Sequence, residues 1–130
     1  MGLRTVLFAT RLSQHCTDAQ LLSMLPSARQ TCADLGVAGV LLFDGEQTLQ
    51  LLHGPAAAVD EALRLWVAEG RHVDGELLWH SEDPQAAWVS TPWMSGFCDA
   101  VWLHRVREAA RTAGDPLAEF MQARNHSDLG

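Results

Sequence analysis

The order of the predicted elements, β-α-β-β-α-β followed by one further strand and two short helices, predicts an α+β fold of the ferredoxin-like type. In this plan both main helices lie on one face of an antiparallel-rich sheet. Three observations predict it. Gly36–Gly54 contains two apolar runs around Asp44-Gly45, which is typical of a β-hairpin. A helical apolar repeat precedes this hairpin and a second one follows it. Strand-like runs lie outside both repeats.

The first strand and first helix have clear sequence boundaries. A strand is predicted over Leu3–Thr10. Thr17 is a suitable N-cap for the first helix, and Gln20 is its capping-box partner three residues later. The apolar repeat continues to the residue before Gly36, which is expected to end the helix. Pro26 lies inside the repeat and is expected to kink or split this helix.

The hairpin carries one polar residue in an otherwise apolar setting. Val40–Phe43 reads as a central strand and Thr48–Leu52 as its partner. Because side chains alternate along a strand, Gln50 faces the same side as Thr48 and Leu52. An unsatisfied buried amide costs ~1–3 kcal/mol, so Gln50 needs partners. Either it bonds to neighbouring protein groups or water, or it is aimed at a ligand.

The second half of the chain is predicted to contain another helix, two strands and a helical tail. The second helix begins at Pro55 and ends at Gly70, with a buried stripe of Val59, Ala62, Leu63, Trp66 and Val67. The later elements are a strand over Gly75–Ser81, a loop over Glu82–Ser90, a short strand over Trp93–Ala100, and helices over Trp102–Arg111 and Pro116–Asn125. The last five residues are expected to fray. We expect one domain over residues 1–100 and a helical extension over 101–130, where the tail or a second subunit covers the open sheet face.

Composition limits the classes of function. The chain has 130 residues, a net charge of −7 and only nine Lys plus Arg, which argues against a surface for nucleic acid or anionic membranes. Its three cysteines form no CxxC pair, so a reducing cytoplasm fits better than a disulfide framework. No signal-peptide pattern or run of ~18 apolar residues is present, and a soluble cytoplasmic protein is expected. No phosphate loop or nucleophile elbow predicts an enzyme.

Several stretches of the chain resemble the BLUF domains, blue-light sensors that use FAD. GVAGVLLFDGEQTLQLLHGP is similar to the family's G-I-T-G-x-L-x-Y…F-x-Q-x-L-E-G-P stretch. GRHVDGELL is similar to D-x-R-H-x-x-V, and PWMSGF to P-x-W-S-M-G-F. The resemblance covers about Leu3–Ala100. It implies a sensory or regulatory domain that holds the FAD ring between its two helices, over the sheet.

The resemblance also implies a set of site residues, of which the photoactive ones are partly replaced. The family's photochemistry needs a tyrosine, a glutamine and an asparagine. Gln50 is present, but Phe8 stands at the tyrosine position and Cys32, preceded by Thr31, at the asparagine position. Phenylalanine has no hydroxyl to bond Gln50 or to release a proton, and the chain contains no tyrosine. The usual photocycle is therefore expected to be impaired, with Trp93 the remaining family-matched electron donor.

The remaining implied flavin contacts are partly kept. Leu65 occupies the position of an arginine found in some members, and Glu69 that of an aspartate. Arg71, His72 and Trp93 match the family's residues. Cys32 and Leu65 both lack the donors that meet ring carbonyls, and each lost hydrogen bond weakens binding by ~0.5–1.5 kcal/mol. We therefore expect weakened flavin binding.

Other interpretations of these residues stay open. Cys32 and Phe8 also suit an ordinary core, His72 a surface, and Arg71 a helix C-terminus. The function hypotheses are a BLUF-type module with FAD and an unknown downstream protein partner, and a diverged, flavin-free module that acts through protein contacts as a homo-oligomer. A small enzyme that uses the emptied cleft is a third. His53, His72 and His80 lack metal-ligand spacing, so no metal site is predicted.

Overall fold

The computed structural model describes residues 2–13, 17–69, 72–82, 93–112 and 114–128. Within these ranges the chain forms five strands and four helices. In chain order they are β1 (Leu3–Leu12), α1 (Asp18–Leu35), β2 (Ala38–Phe43), β3 (Gln47–Pro55), α2 (Ala56–Ala68), β4 (His72–Ser81), β5 (Met94–Phe97), α3 (Ala100–Thr112) and α4 (Leu117–Asn125). This order confirms the predicted α+β class.

The ends of α1 follow from local side-chain chemistry. The Thr17 hydroxyl accepts a hydrogen bond from the Gln20 backbone N–H, and the Gln20 side chain accepts one from the Thr17 N–H, which completes the predicted capping box. Gly36 ends the helix in the left-handed region at φ 73°. α1 continues through Pro26 as one helix, so it is not split there, and the alternative of a kink at Pro26 stays a prediction.

The turn between β2 and β3 is held by one carboxylate. Asp44 Oδ1 accepts hydrogen bonds from the backbone N–H groups of Glu46 and Gln47, at 2.8 and 2.7 Å. Gly45 has a φ of 102°, which a residue with a side chain rarely adopts. The predicted hairpin is thus confirmed, with β3 extending to Pro55.

The strands form a single sheet in the order β4-β1-β3-β2-β5. The β1–β3, β1–β4 and β2–β3 pairs are antiparallel, whereas β2 and β5 are parallel. The first four strands therefore have the ferredoxin-like order, and β5 adds a parallel edge. β3, which carries Gln50, lies at the centre of the sheet.

Helices cover both faces of the sheet, which gives two apolar clusters. The inner cluster joins α1 and α2 to alternate strand residues; its members include Val6, Leu21, Met24, Cys32, Leu41, Leu52, Val59, Trp66 and Trp93. The outer cluster joins α3 and α4 to the strand residues that face the other way. Its members include Leu7, Val40, Leu49 and Leu51 of the strands and Leu103, Val106 and Phe120 of the helices. The sheet face opposite α1 and α2 is therefore covered by the two tail helices of the same chain.

Several predicted details differ from the structure. Val67 is 48% exposed, because the buried side of α2 follows Val59, Ala62 and Trp66 and the next residue turns outward. β5 covers only Met94–Phe97, and α3 begins at Ala100, within the range predicted as strand. The predicted loop falls largely on residues 83–90, outside the described residues.

The end of the chain is also more ordered than predicted. The Asp128 side chain accepts a hydrogen bond from the Phe97 N–H, and the Asp128 N–H donates to the Phe97 carbonyl. The His126 ring stacks on Trp102 at 3.9 Å. These contacts fix the tail against β5 and α3, so fraying does not begin at residue 126.

No helix in the described part of the chain has both the length and the apolar character needed to cross a bilayer. Within the same ranges, no group of three or more His, Cys, Asp or Glu side chains could hold a metal ion.

Candidate functional site

A narrow cleft lies between α1 and α2, above the centre of the sheet. Helical periodicity places residues three and four apart on one side of each helix, and these sides line the cleft. The lining residues are Met24, Ser27, Ala28, Thr31 and Cys32 of α1, Ala62, Leu65 and Trp66 of α2, Glu69 at its C-cap, and Gln50 of β3. Five residues predicted from the sequence therefore meet here: Gln50, Thr31, Cys32, Leu65 and Glu69.

Gln50 is the polar group at the floor of this cleft. It is 3% exposed, and its side chain shares the inner face with Leu52, as the strand alternation predicts. Its Oε1 accepts a hydrogen bond from the Trp93 indole N–H at 2.8 Å. Its Nε2 is buried and has no hydrogen-bond partner among the described residues. The bond from Trp93 fixes which end of the amide is the oxygen, so the end without a partner is a donor.

Gly39 places Trp93 beside Gln50. A side-chain carbon on Gly39 would lie 2.5 Å from the Leu51 carbonyl oxygen and 3.0 Å from Trp93 Cδ1. Because Gly39 has no side chain, the indole can pack against β2. The parallel pairing of β2 with β5 begins at the next residue, Val40, which pairs with Met94. Sequence analysis did not identify Gly39. The available signal was a glycine inside a strand pattern, which often marks a close approach.

Phe8 is not part of the cleft wall. It pairs with Gln50 in the β1–β3 register, but its ring lies over β4, where a side-chain carbon on Gly75 would be 2.9 Å from Cζ. Because β1 separates β4 from β3, the far end of the ring points away from Gln50. The structure therefore does not bring the para position of residue 8 to the amide.

The replaced positions Cys32 and Leu65 make part of the cleft wall apolar, whereas Ser27, Thr31 and Glu69 keep polar side chains there. Cys32 is 5% exposed, and burial raises the pKa of its thiol to about 11, so the group is neutral at physiological pH. The Leu65 side chain offers only carbon atoms to the cleft. Arg71 lies outside the described residues; the His72 backbone belongs to β4, but its side chain is also outside them.

The donor at the floor of the cleft suits a ring that presents a hydrogen-bond acceptor at its leading edge. Its walls combine apolar side chains with Ser27, Thr31 and Glu69, and the Gln50 Nε2 donor at its floor is buried without a partner among the described residues. The space inside is about 40 Å³, enough for a few water molecules. Sites for ligands of drug size enclose ~300–1,000 Å³, so α1 and α2 would have to move apart to admit a flavin ring.

Known structures of similar fold belong to light-responsive proteins. BlrB, described as a BLUF protein in its dark state, aligns with a TM-score of 0.74 and 19% identity over 94% of each chain. BlsA in its photo-activated state aligns with a TM-score of 0.68 and 16% identity, over 88% of this chain and 84% of its own. At these identities the similarity shows a shared fold.

BlrP1 of Klebsiella pneumoniae, in a calcium and cy-diGMP complex, aligns with a TM-score of 0.63 and 22% identity. The alignment covers 72% of this chain and 24% of BlrP1, so the match spans about a quarter of that protein's length. A comparison with curated proteins finds no match.

The sequence itself decides the family. The family described as "Sensors of blue-light using FAD" matches residues 3–91, which include β1, the hairpin, α1, α2 and β4. That match extends over more than half of the chain and contains every cleft residue. The chain therefore belongs to the BLUF family of blue-light sensors.

Proposed function

We propose that this chain is a regulatory module that binds FAD in the cleft between α1 and α2 but does not run the tyrosine-dependent photocycle of its family. The observation that carries the proposal is the Gln50 amide. Its Nε2 is a buried donor without a partner in the described structure, and it lines the cleft where the family holds its ring. An acceptor on a bound flavin would remove the ~1–3 kcal/mol cost of leaving that donor unsatisfied.

The binding is expected to be weak for two structural reasons. Cys32 and Leu65 offer no strong donors to ring carbonyls. The cleft must also widen from about 40 Å³, which breaks packing between the helices. Arg71 and His72 are proposed as further flavin contacts on the basis of the family motif.

The proposed loss of the photocycle rests on Phe8. A phenyl ring cannot donate a hydrogen bond or release a proton with an electron, and the chain has no tyrosine elsewhere. The ring end also points toward β4, away from Gln50. Trp93, bonded to the amide, is then the residue in position to donate an electron.

The domain is further proposed to act on a downstream protein and to self-associate. Large apolar side chains that are at least half exposed support a protein-contact role: Leu22, Leu77 and Val101. The acidic net charge of −7 favours neither nucleic acid nor anionic membranes as partners. Light scattering coupled to size-exclusion chromatography measures the self-association directly.

A flavin-free interaction module is the second candidate, and the small cleft is the observation that favours it. If the packing between α1 and α2 is too stable to open, the domain keeps the family fold without its cofactor. The function would then lie wholly on its protein-contact surfaces.

The absorption spectrum separates the two candidates. Flavin bands in the freshly purified protein, or bands and quenched flavin fluorescence after mixing with FAD, support the first. Gln50→Leu should weaken this binding, whereas Gln122→Leu, an exposed glutamine on α4, is the matched control. A protein that stays colourless at high FAD concentration rejects the first candidate and leaves the second.

A further inference from the structure

The orientation of the Gln50 amide has a consequence for the redox state of the ligand. Trp93 has an indole N–H, which can only donate, so its 2.8 Å bond requires the Gln50 oxygen at that end. The buried Nε2, with two hydrogens, is therefore the end available to the cleft. At the floor of the cleft, Gln50 therefore presents a donor rather than an acceptor.

We infer that this fixed amide selects oxidised flavin over two-electron-reduced flavin; the inference rests on the proposed function. In oxidised flavin, N5 carries a lone pair and lies next to the C4 carbonyl oxygen, so one ring edge presents two adjacent acceptors. An amide NH2 can serve both. Reduction adds two electrons and two protons to the ring, one proton on N5, and the N5 position becomes an N–H donor that faces the Gln50 donor.

Rotation of the amide does not resolve this conflict. Turning Gln50 by half a turn would present its oxygen to the reduced ring, but the nitrogen would then face the Trp93 indole N–H. One pair of buried donors is left facing each other in either orientation. Trp93 is held by packing against Gly39 and is 2% exposed, so it has little room to move away.

The expected difference in affinity between the two redox forms follows from the cost of one buried unsatisfied donor. That cost corresponds to a change in affinity on the order of five- to hundredfold. Oxidised FAD should bind more tightly than reduced FAD by this factor. By linkage the two-electron potential of the bound flavin should be lower than that of free flavin, by about 30 mV for each tenfold difference.

The test is a pair of anaerobic titrations of the purified full chain, one with oxidised FAD and one with FAD reduced by dithionite, which supplies the two electrons and becomes sulfite. The expected result is a dissociation constant at least fivefold lower for oxidised FAD. Equal constants, or tighter binding of reduced FAD, overturn the inference alone. Failure of both forms to bind overturns the proposed function and this inference with it.

Trp93→Phe tests the cause, because it removes the N–H while keeping an aromatic ring. In this variant the amide can rotate, and the preference should fall to within about twofold. Trp102→Phe, the same change on α3, should leave the preference unchanged. An unchanged preference in Trp93→Phe overturns the role given to the indole. If that variant does not fold by circular dichroism, Gln50→Leu serves instead: it should weaken the binding of oxidised FAD more than that of reduced FAD, and so lower the preference.

Discussion

The ring of Phe8 lies over Gly75, so closely that a side-chain carbon on Gly75 would come within 2.9 Å of the para carbon. Gly75 belongs to β4 and Gln50 to β3, on opposite sides of β1. The strand register places Phe8 directly opposite Gln50, yet the ring leans the other way. Residue 8 thus lacks the hydroxyl of the family's tyrosine, and the end of its ring also lies away from the Gln50 amide.

Restoring the hydroxyl alone should therefore not restore photochemistry. In Phe8→Tyr the new oxygen extends from Cζ over β4, where it cannot bond Gln50. Adding Gly75→Ala displaces the ring end from β4, and the phenol becomes free to turn toward β3. With FAD bound, we expect no reversible red shift on illumination for the single variant and a measurable shift for the double variant. A full shift in Phe8→Tyr alone would show that the ring reorients without help.

The course of β1 and β3 could be predicted from the sequence, whereas this ring position could not. Strand alternation is a property of neighbouring residues, so the facing of Gln50 with Leu52 followed from their spacing. The position of the Phe8 ring depends on a missing side chain at Gly75, which is far along the chain and whose register with β1 is shifted by bulges. Such a register is set by tertiary packing and has no local pattern.

The cleft shows the same division. The apolar repeats of α1 and α2 predicted which sides face the sheet, and five of the proposed contacts meet there. The bond between Gln50 and Trp93 was not predicted, since it depends on the parallel pairing of β5 with β2 across the hairpin. Family resemblance supplied the candidate residues; only the fold shows which of them touch.

Gly39→Ala should destabilise the protein. The added carbon would meet the Leu51 carbonyl oxygen at 2.5 Å, and a backbone atom in a central strand cannot move aside cheaply. Overpacking of this kind costs ~1–3 kcal/mol in the free energy of unfolding, measured by urea denaturation. Gly75→Ala is the matched control, because its added carbon meets only a movable ring end, and its effect should stay within about 1 kcal/mol. Similar effects in both variants would contradict this account.

His53 should make stability fall below neutral pH. It is 8% exposed, its Nδ1 lies 2.7 Å from the Thr5 hydroxyl, and burial lowers its pKa below the ordinary 6.5. Below pH 6.5 the unfolded chain binds a proton that the folded imidazole resists, so stability is complete above that pH and is lost as the pH falls. Urea denaturation from pH 7 to 5 should show a smaller loss in His53→Gln than in the parent. An equal loss in His53→Gln and in the parent would refute this prediction.

Cys32 should make stability fall at alkaline pH, and this chain allows an unusually clean measurement. All nine of its Lys-plus-Arg residues are arginines and it has no tyrosine, so the side chains that titrate between pH 9 and 11 are its thiols. Burial raises the pKa of the Cys32 thiol from 9.0 to about 11. Above pH 9 the unfolded thiol loses its proton while the folded one keeps it. The stability from this group is therefore complete below pH 9 and is lost as the pH rises toward 11.

The measurement is the free energy of unfolding at pH 8, 9, 10 and 10.5, under reducing conditions, for the parent and for Cys32→Ala. One thiol contributes a slope of at most about 1.4 kcal/mol per pH unit. Cys98, whose pKa burial also raises to about 11, keeps its share in both proteins. The free energy of unfolding should therefore fall more steeply with rising pH in the parent than in Cys32→Ala. The smaller side chain of the variant adds a cost that does not depend on pH and so does not change this slope. Parallel profiles would mean that the Cys32 thiol is open to water, and that α1 and α2 are already apart at the cleft.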